Sequence, residues 1–115
     1  MISKEESYDL FLTTLSRLDN GKLELSDDEL SHEIFEELDT DSFSFLHEWT
    51  VDRLIEENFI PIFLRERILN LRESIIKAME SKRSMEQYRN DSEWIDIRER
   101  AGNLLEEIKT FANKT

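Results

Sequence analysis

The sequence predicts an all-α, single-domain bundle of about five helices. Three observations carry that expectation. Apolar residues recur at helical spacing in five successive runs, each bounded by capping or breaking residues. Two glycines and one proline supply too little turn chemistry for a sheet-rich fold. At 115 residues, with 38% hydrophobic and 37% charged content, the chain suits one small helical core with much exposed surface.

The first helix is expected over Lys4 to Leu18. Ser3 and Glu6 read as a capping box, and Tyr8, Phe11, Leu12, Leu15 and Leu18 form the apolar stripe. Asn20-Gly21 ends it, because both residues tolerate left-handed backbone. Ser26 to Glu29 repeats the capping pattern and opens a second helix with Leu30, Ile34, Phe35 and Leu38 inward. Asp39-Thr40-Asp41 is expected to cap a third, Ser42 to Glu57, carrying one apolar stripe (Phe43, Leu46, Thr50, Leu54) and a second pair, Phe45 and Trp49. A fourth helix from Pro61 to about Glu80 has two seams. Leu64, Ile68, Leu71, Ile75, Ala78 and Met79 form the first, and Ile62, Leu69 and Ile76 the second, which marks it as the central helix. Residues 81–90 read as a loop with a turn of helix near Met85 and Tyr88. The last helix, capped at Asp91 or Ser92, turns Trp94, Ile97, Ala101, Leu104, Leu105, Ile108 and Phe111 inward.

Charge is distributed unevenly. Residues 23–52 hold eleven acids (Glu24, Asp27, Asp28, Glu29, Glu33, Glu36, Glu37, Asp39, Asp41, Glu48, Asp52) and no Lys or Arg, whereas residues 53–115 carry twelve of each sign, within a formal net charge of −12. Like charges at i,i+4 (Glu29/Glu33, Glu33/Glu37) weaken a helix by a few tenths of a kcal/mol per pair, about 0.2–0.5. Folding gains nothing from that ladder. Unpaired acids beside surplus aromatics have the composition of an interface with a basic protein. The candidate contact residues are Asp28, Glu29, Glu33, Glu36, Glu37, Asp39, Asp41, Phe45 and Trp49. Phe45 and Trp49 either anchor such an interface or pack under the last helix.

The same charge disfavours nucleic acid and anionic membrane as partners, since counterion release requires Lys and Arg. No run approaches the ~18 apolar residues of a membrane span, and Met-Ile-Ser-Lys-Glu-Glu lacks the apolar region of a secretory signal. A cytoplasmic location is expected. With no cysteine, thiolate metal sites, disulfides and Cys nucleophiles are excluded. His32 follows Glu29 in a Glu-x-x-His arrangement, but Ser44 precedes His47 by three, so the second half of a di-iron motif is missing. Asp39-x-Asp41 fails as a calcium loop, with Ser44 where Gly is needed and Thr50 where Glu is needed. No catalytic motif or phosphate-cradling glycine loop occurs, so neither an enzyme nor a cofactor is expected.

Asp41-Ser42-Phe43, followed by Glu56-Glu57-Asn58-Phe59-Ile60, resembles the attachment region of acyl carrier proteins, in which Ser42 would carry the phosphopantetheine arm. The glycine usual before Asp-Ser is absent, the intervening helix is a turn too long, and some fifty further residues follow. A second resemblance covers about half the chain. Leu54-Ile55-Glu56-Glu57-Asn58-Phe59-Ile60, Ile68-Leu69-Asn70-Leu71-Arg72 and Asp91-Ser92-Glu93-Trp94-Ile95-Asp96-Ile97-Arg98 look like bacterial immunity proteins of polymorphic and contact-dependent growth-inhibition toxin systems. The resemblance implies a small cytoplasmic protein that binds and neutralises a cognate toxin domain, often a nuclease. The Tyr-Tyr-Pro recognition element of colicin nuclease immunity proteins has no counterpart here. An acidic DNA mimic or adaptor is the remaining alternative.

Overall fold

The computed structural model describes residues 3–113, and for Ser42, Phe43, Ser44 and Asn113 only the course of the backbone. Helices α1 (Lys4–Ser16), α2 (Asp27–Ser31), α3 (Asp39–Ser44), α4 (Glu48–Glu56), α5 (Arg65–Ser81), α6 (Met85–Asn90) and α7 (Ser92–Asn113) make up the fold, with 3-10 turns at Asn20–Glu24 and Ile62–Leu64. No strand occurs among the described residues. The all-α expectation holds.

Two of the expected caps form as read. The Ser3 hydroxyl accepts from the Glu6 amide at 3.1 Å and Ser26 from the Glu29 amide at 3.3 Å. Asp91 opens α7 by accepting from the Glu93 amide at 2.9 Å. Buried residues from α1 to α7 join in one apolar cluster. The first seam of α5 is buried throughout, and α5 packs against α3, α4 and α7, the central position expected for it.

Three expectations are corrected. The second helix does not stop at Leu38: α2 continues through a π-helix, His32–Leu38, directly into α3. Asp39-Thr40-Asp41 therefore lies inside helical backbone and caps nothing. Ser42, the residue of the carrier-like reading, does not open a helix; its side chain and that of Phe43 lie outside the described set. The break comes instead at residues 45–47, where the His47 ring nitrogen Nδ1 accepts from the Trp49 amide at 3.1 Å and starts α4. The second seam of α5 is half-buried at Leu69 and Ile76 and fails at Ile62, which is 72% exposed.

An aromatic knot ties the π-helix to the C-terminal half. The Phe35 ring meets Tyr88 and Trp94 edge-on at centroid distances of 6.4 and 6.5 Å, and the Trp94 indole N–H donates to the Lys82 carbonyl at 2.9 Å. Arg98, 5% exposed, stacks on the Tyr88 ring and donates to the Tyr88 and Arg89 carbonyls and to Asn20. Those carbonyls end α6, where a cation meets both unsatisfied acceptors and the negative end of the helix dipole.

Candidate functional site

The acidic segment is organised around a cation that the sequence reading did not assign to it. Arg17, just past the end of α1, reaches Glu33 at 2.5 Å, Asp41 at 3.1 Å and Glu37 at 3.8 Å. Lys22 adds a longer contact to Glu33, 3.9 Å. Burial alone would lower the Arg17 pKa, but the bonds from Asp41 and Glu33 outweigh it and leave the pKa raised.

Helix geometry explains how one guanidinium holds carboxylates eight residues apart. Four residues of α-helix, at about 3.6 per turn, overshoot a full turn by about 40°. Four residues of π-helix, at about 4.4 per turn, undershoot by about 30°. Glu33 to Glu37 spans π-helix and Glu37 to Asp41 spans mainly α-helix. The opposite drifts cancel, so the three side chains stay in line on one face. The same wide turn sets His32 against both Glu36 and Glu37, the latter at 3.3 Å from Nε2.

Other acids of the segment are also matched. Arg83 pairs with Asp39 at 3.5 Å and donates to the Phe35 carbonyl. Arg89 pairs with Asp27 and donates to the Leu23 and Leu25 carbonyls, tying the 3-10 turn to α6. Arg65 bridges Glu48 and Asp52, holding Asp52 below its ordinary pKa through a hydrogen bond. The expectation of wholly unpaired acids is thus corrected. Glu24, Asp28 and Glu29 have no Lys, Arg or His partner among the described residues, and Glu36 meets only His32.

Five cations, Arg17, Lys22, Arg65, Arg83 and Arg89, reach seven of the segment's eleven carboxylates, so more than half of its negative charge stays unbalanced locally. Asp28 and Glu29 line a groove of about 560 Å³ between the 3-10 turn and α2, shared with Lys22, Leu25, His32 and Glu33. Half-buried Leu25 supplies apolar surface there. Among the predicted contact residues, Asp28, Glu29 and Glu33 come together at this groove. Glu33, Glu37 and Asp41 meet at Arg17, Glu36 meets His32, and Asp39 turns to Arg83.

The two candidate anchors part company. Phe45 is half-buried in the 45–47 break. Trp49 is 65% exposed on the first turn of α4, next to Glu48 and its Arg65 partner, so it is not covered by the last helix. Among the described residues, no group of three or more His, Asp or Glu side chains has the geometry to hold a metal ion, and no helix is long and apolar enough to cross a membrane.

The sequence alone does not place these cations, because they lie 11 to 66 residues away from the groups they bond. The one available signal was Arg17 itself, the only Arg before residue 53. Comparisons with protein-family models, with curated proteins and with solved structures return no match for this chain.

Proposed function

We propose that this chain is a stoichiometric inhibitor that acts in the cytoplasm by binding a basic partner protein, in the manner of the immunity proteins it resembles. The partner would be a toxin domain, most simply a nuclease, whose positive substrate surface is occluded. One observation carries the reading: in a segment whose other acids are largely matched internally, Asp28 and Glu29 pair with no cation on an open groove whose Lys22 reaches Glu33 instead. Leu25 offers surface for the methylene stem of a Lys or Arg, and the two carboxylates offer its charged end a partner.

The internal pairs support the same reading. Arg17 holds Glu33, Glu37 and Asp41 in a fixed array at little exposure of its own. A prearranged negative surface loses less side-chain entropy on docking, and its residual field speeds encounter with a basic partner.

The test is to look beside the gene for an encoded toxin domain, whose absence would count against the reading, and to co-express it with this chain, followed by rapid-mixing kinetics on the purified pair. Asp28→Lys with Glu29→Lys should slow association about tenfold or more at low salt and flatten its salt dependence. Unchanged association and salt dependence in the folded variant would remove the α2 groove from the interface. Failure of the wild-type chain to protect against that toxin would remove the inhibitor reading itself.

A further inference from the structure

We infer that the Ile62-Phe63 turn and the adjoining end of α7 form a second protein-docking surface, for a partner segment that combines a large apolar side chain with Lys or Arg. These residues lie outside the acidic segment, and the inference does not rest on the inhibitor reading.

The turn displays its apolar side chains from a fixed frame. Ile62 is 72% and Phe63 70% exposed, while Ile60, Pro61 and Leu64 around them are buried. Asn58 adopts left-handed backbone, φ 62°, to start the reversal, and Phe59 stacks on Tyr8 at 4.9 Å between centroids. On the far side, Arg65 is held by Asp52 and Glu48. Two consecutive large apolar residues are therefore kept in water by a turn anchored at both ends. That arrangement gives folding no burial energy, and a rigid apolar pair is what an interface anchor requires.

A groove of about 570 Å³ runs from Phe63 to Phe111 and Thr110 near the end of α7. Arg67 and Glu107, 2.6 Å apart, bridge α5 and α7 along it. Glu106 also lines it and has no cationic partner among the described residues. Charge selects the occupant. A second copy would bring its own net charge of −12 and its own Glu106 to the contact, and an anionic lipid surface would be repelled likewise. A segment with an aromatic or large aliphatic side chain between Phe63 and Phe111, and a Lys or Arg at Glu106, fits both features.

The experiment selects short random peptides displayed on phage against the full chain, then maps the enriched peptides by amide chemical shifts and measures their affinity for variants. Enrichment of peptides joining large apolar residues to Lys or Arg is expected, with shifts centred on Phe63, Arg67, Glu106 and Phe111. Phe63→Ser should weaken them tenfold or more, and Glu106→Lys should weaken them and reduce their salt dependence. Both positions are exposed, and Ile62→Ser serves equally should Phe63→Ser fail to fold. The inference is overturned if no peptide is enriched, if the enriched peptides lack basic residues, or if they map to the α2 groove and ignore Phe63→Ser. It is overturned in favour of a second copy if Phe63→Ser turns a dimer into a monomer. It is overturned in favour of lipid if the wild-type chain binds phosphatidylserine vesicles and Phe63→Ser does not.

Discussion

Replacing Arg17 by Met isolates the consequence of gathering three carboxylates on one cation. The methionine keeps much of the aliphatic stem and removes the charge. Glu33, Glu37 and Asp41 all lie within 2.5 to 3.8 Å of the guanidinium, so without it they repel one another across a few ångströms. At an effective dielectric of ~20, two like charges ~6 Å apart repel by about 3 kcal/mol, and water screening reduces that where the groups are open. Arg17, Glu33 and Asp41 keep only 18, 26 and 14% of their side-chain surface exposed, against 43% for Glu37. The loss should therefore fall between that of a surface pair, about 0–1 kcal/mol, and of a broken buried pair, about 3–5. We expect about 2–3 kcal/mol, measured by urea unfolding at neutral pH, with a fall in Tm of about 8–12 °C. Adding Glu33→Gln to Arg17→Met should recover about 1 kcal/mol by relieving the repulsion, although Glu33→Gln alone destabilises. A loss under about 0.5 kcal/mol for Arg17→Met, or no recovery in the double variant, would refute the argument that Arg17 organises this face.

Three further outcomes follow from buried and exposed groups elsewhere. Arg98→Met strands the Tyr88 and Arg89 carbonyls and the Asn20 side chain, and should lower stability by about 2–4 kcal/mol in urea unfolding. Burial raises the Tyr88 pKa to about 12, with Arg98 opposing; since the folded value exceeds the unfolded 10.0, the neutral phenol's contribution is whole below pH 10 and disappears as pH rises through about 12. The urea midpoint should fall across that window, and Tyr88→Phe, which removes a buried hydroxyl without a hydrogen-bond partner, should abolish this part of the fall at little loss near pH 7. Trp49→Ala should change stability by less than about 0.5 kcal/mol whereas Trp94→Ala should lose about 3–5, as their exposures of 65% and 0% require, and in a complex built on Trp49 the first variant should act on dissociation.

The apolar periodicity made most of the core legible. Leu30, Ile34, Phe35 and Leu38 are buried as their spacing requires, even though the backbone beneath them winds as a π-helix from His32. The four-residue steps Leu30–Ile34 and Ile34–Leu38 stay within about 40° of one face in either winding, so hydrophobicity alone could not separate them. The end of the expected second helix was misplaced for a related reason. Asp and Thr are good capping residues, but Asp39 and Asp41 are already engaged by Arg83 and Arg17, which stabilise them inside a helix instead. Tertiary ion pairs overrode a local signal. Ile62 failed for the opposite reason: it continues the α5 period by count, but the 3-10 turn at Ile62–Leu64 rotates it out of the seam.

The candidate site was legible as composition and illegible as geometry. Thirty residues without a Lys or Arg mark an acidic surface whatever the fold, because no local neutralisation is available. Which carboxylates remain open depends on cations supplied across the fold, and a one-dimensional charge count cannot place them. Arg17 comes from the cap just past α1, Arg83 from the α5–α6 connection and Arg89 from α6. Once they are in place, the like-charge ladder that weakens an isolated helix becomes an array with a cation along it. The repulsion between Glu33 and Glu37, read from sequence as a sacrifice of stability, is answered within the fold by Arg17. What still asks for a partner is narrower than the sequence implied: Asp28 and Glu29 at one groove, and at the turn before α5 an exposed apolar pair, of which helical spacing had assigned Ile62 to the core.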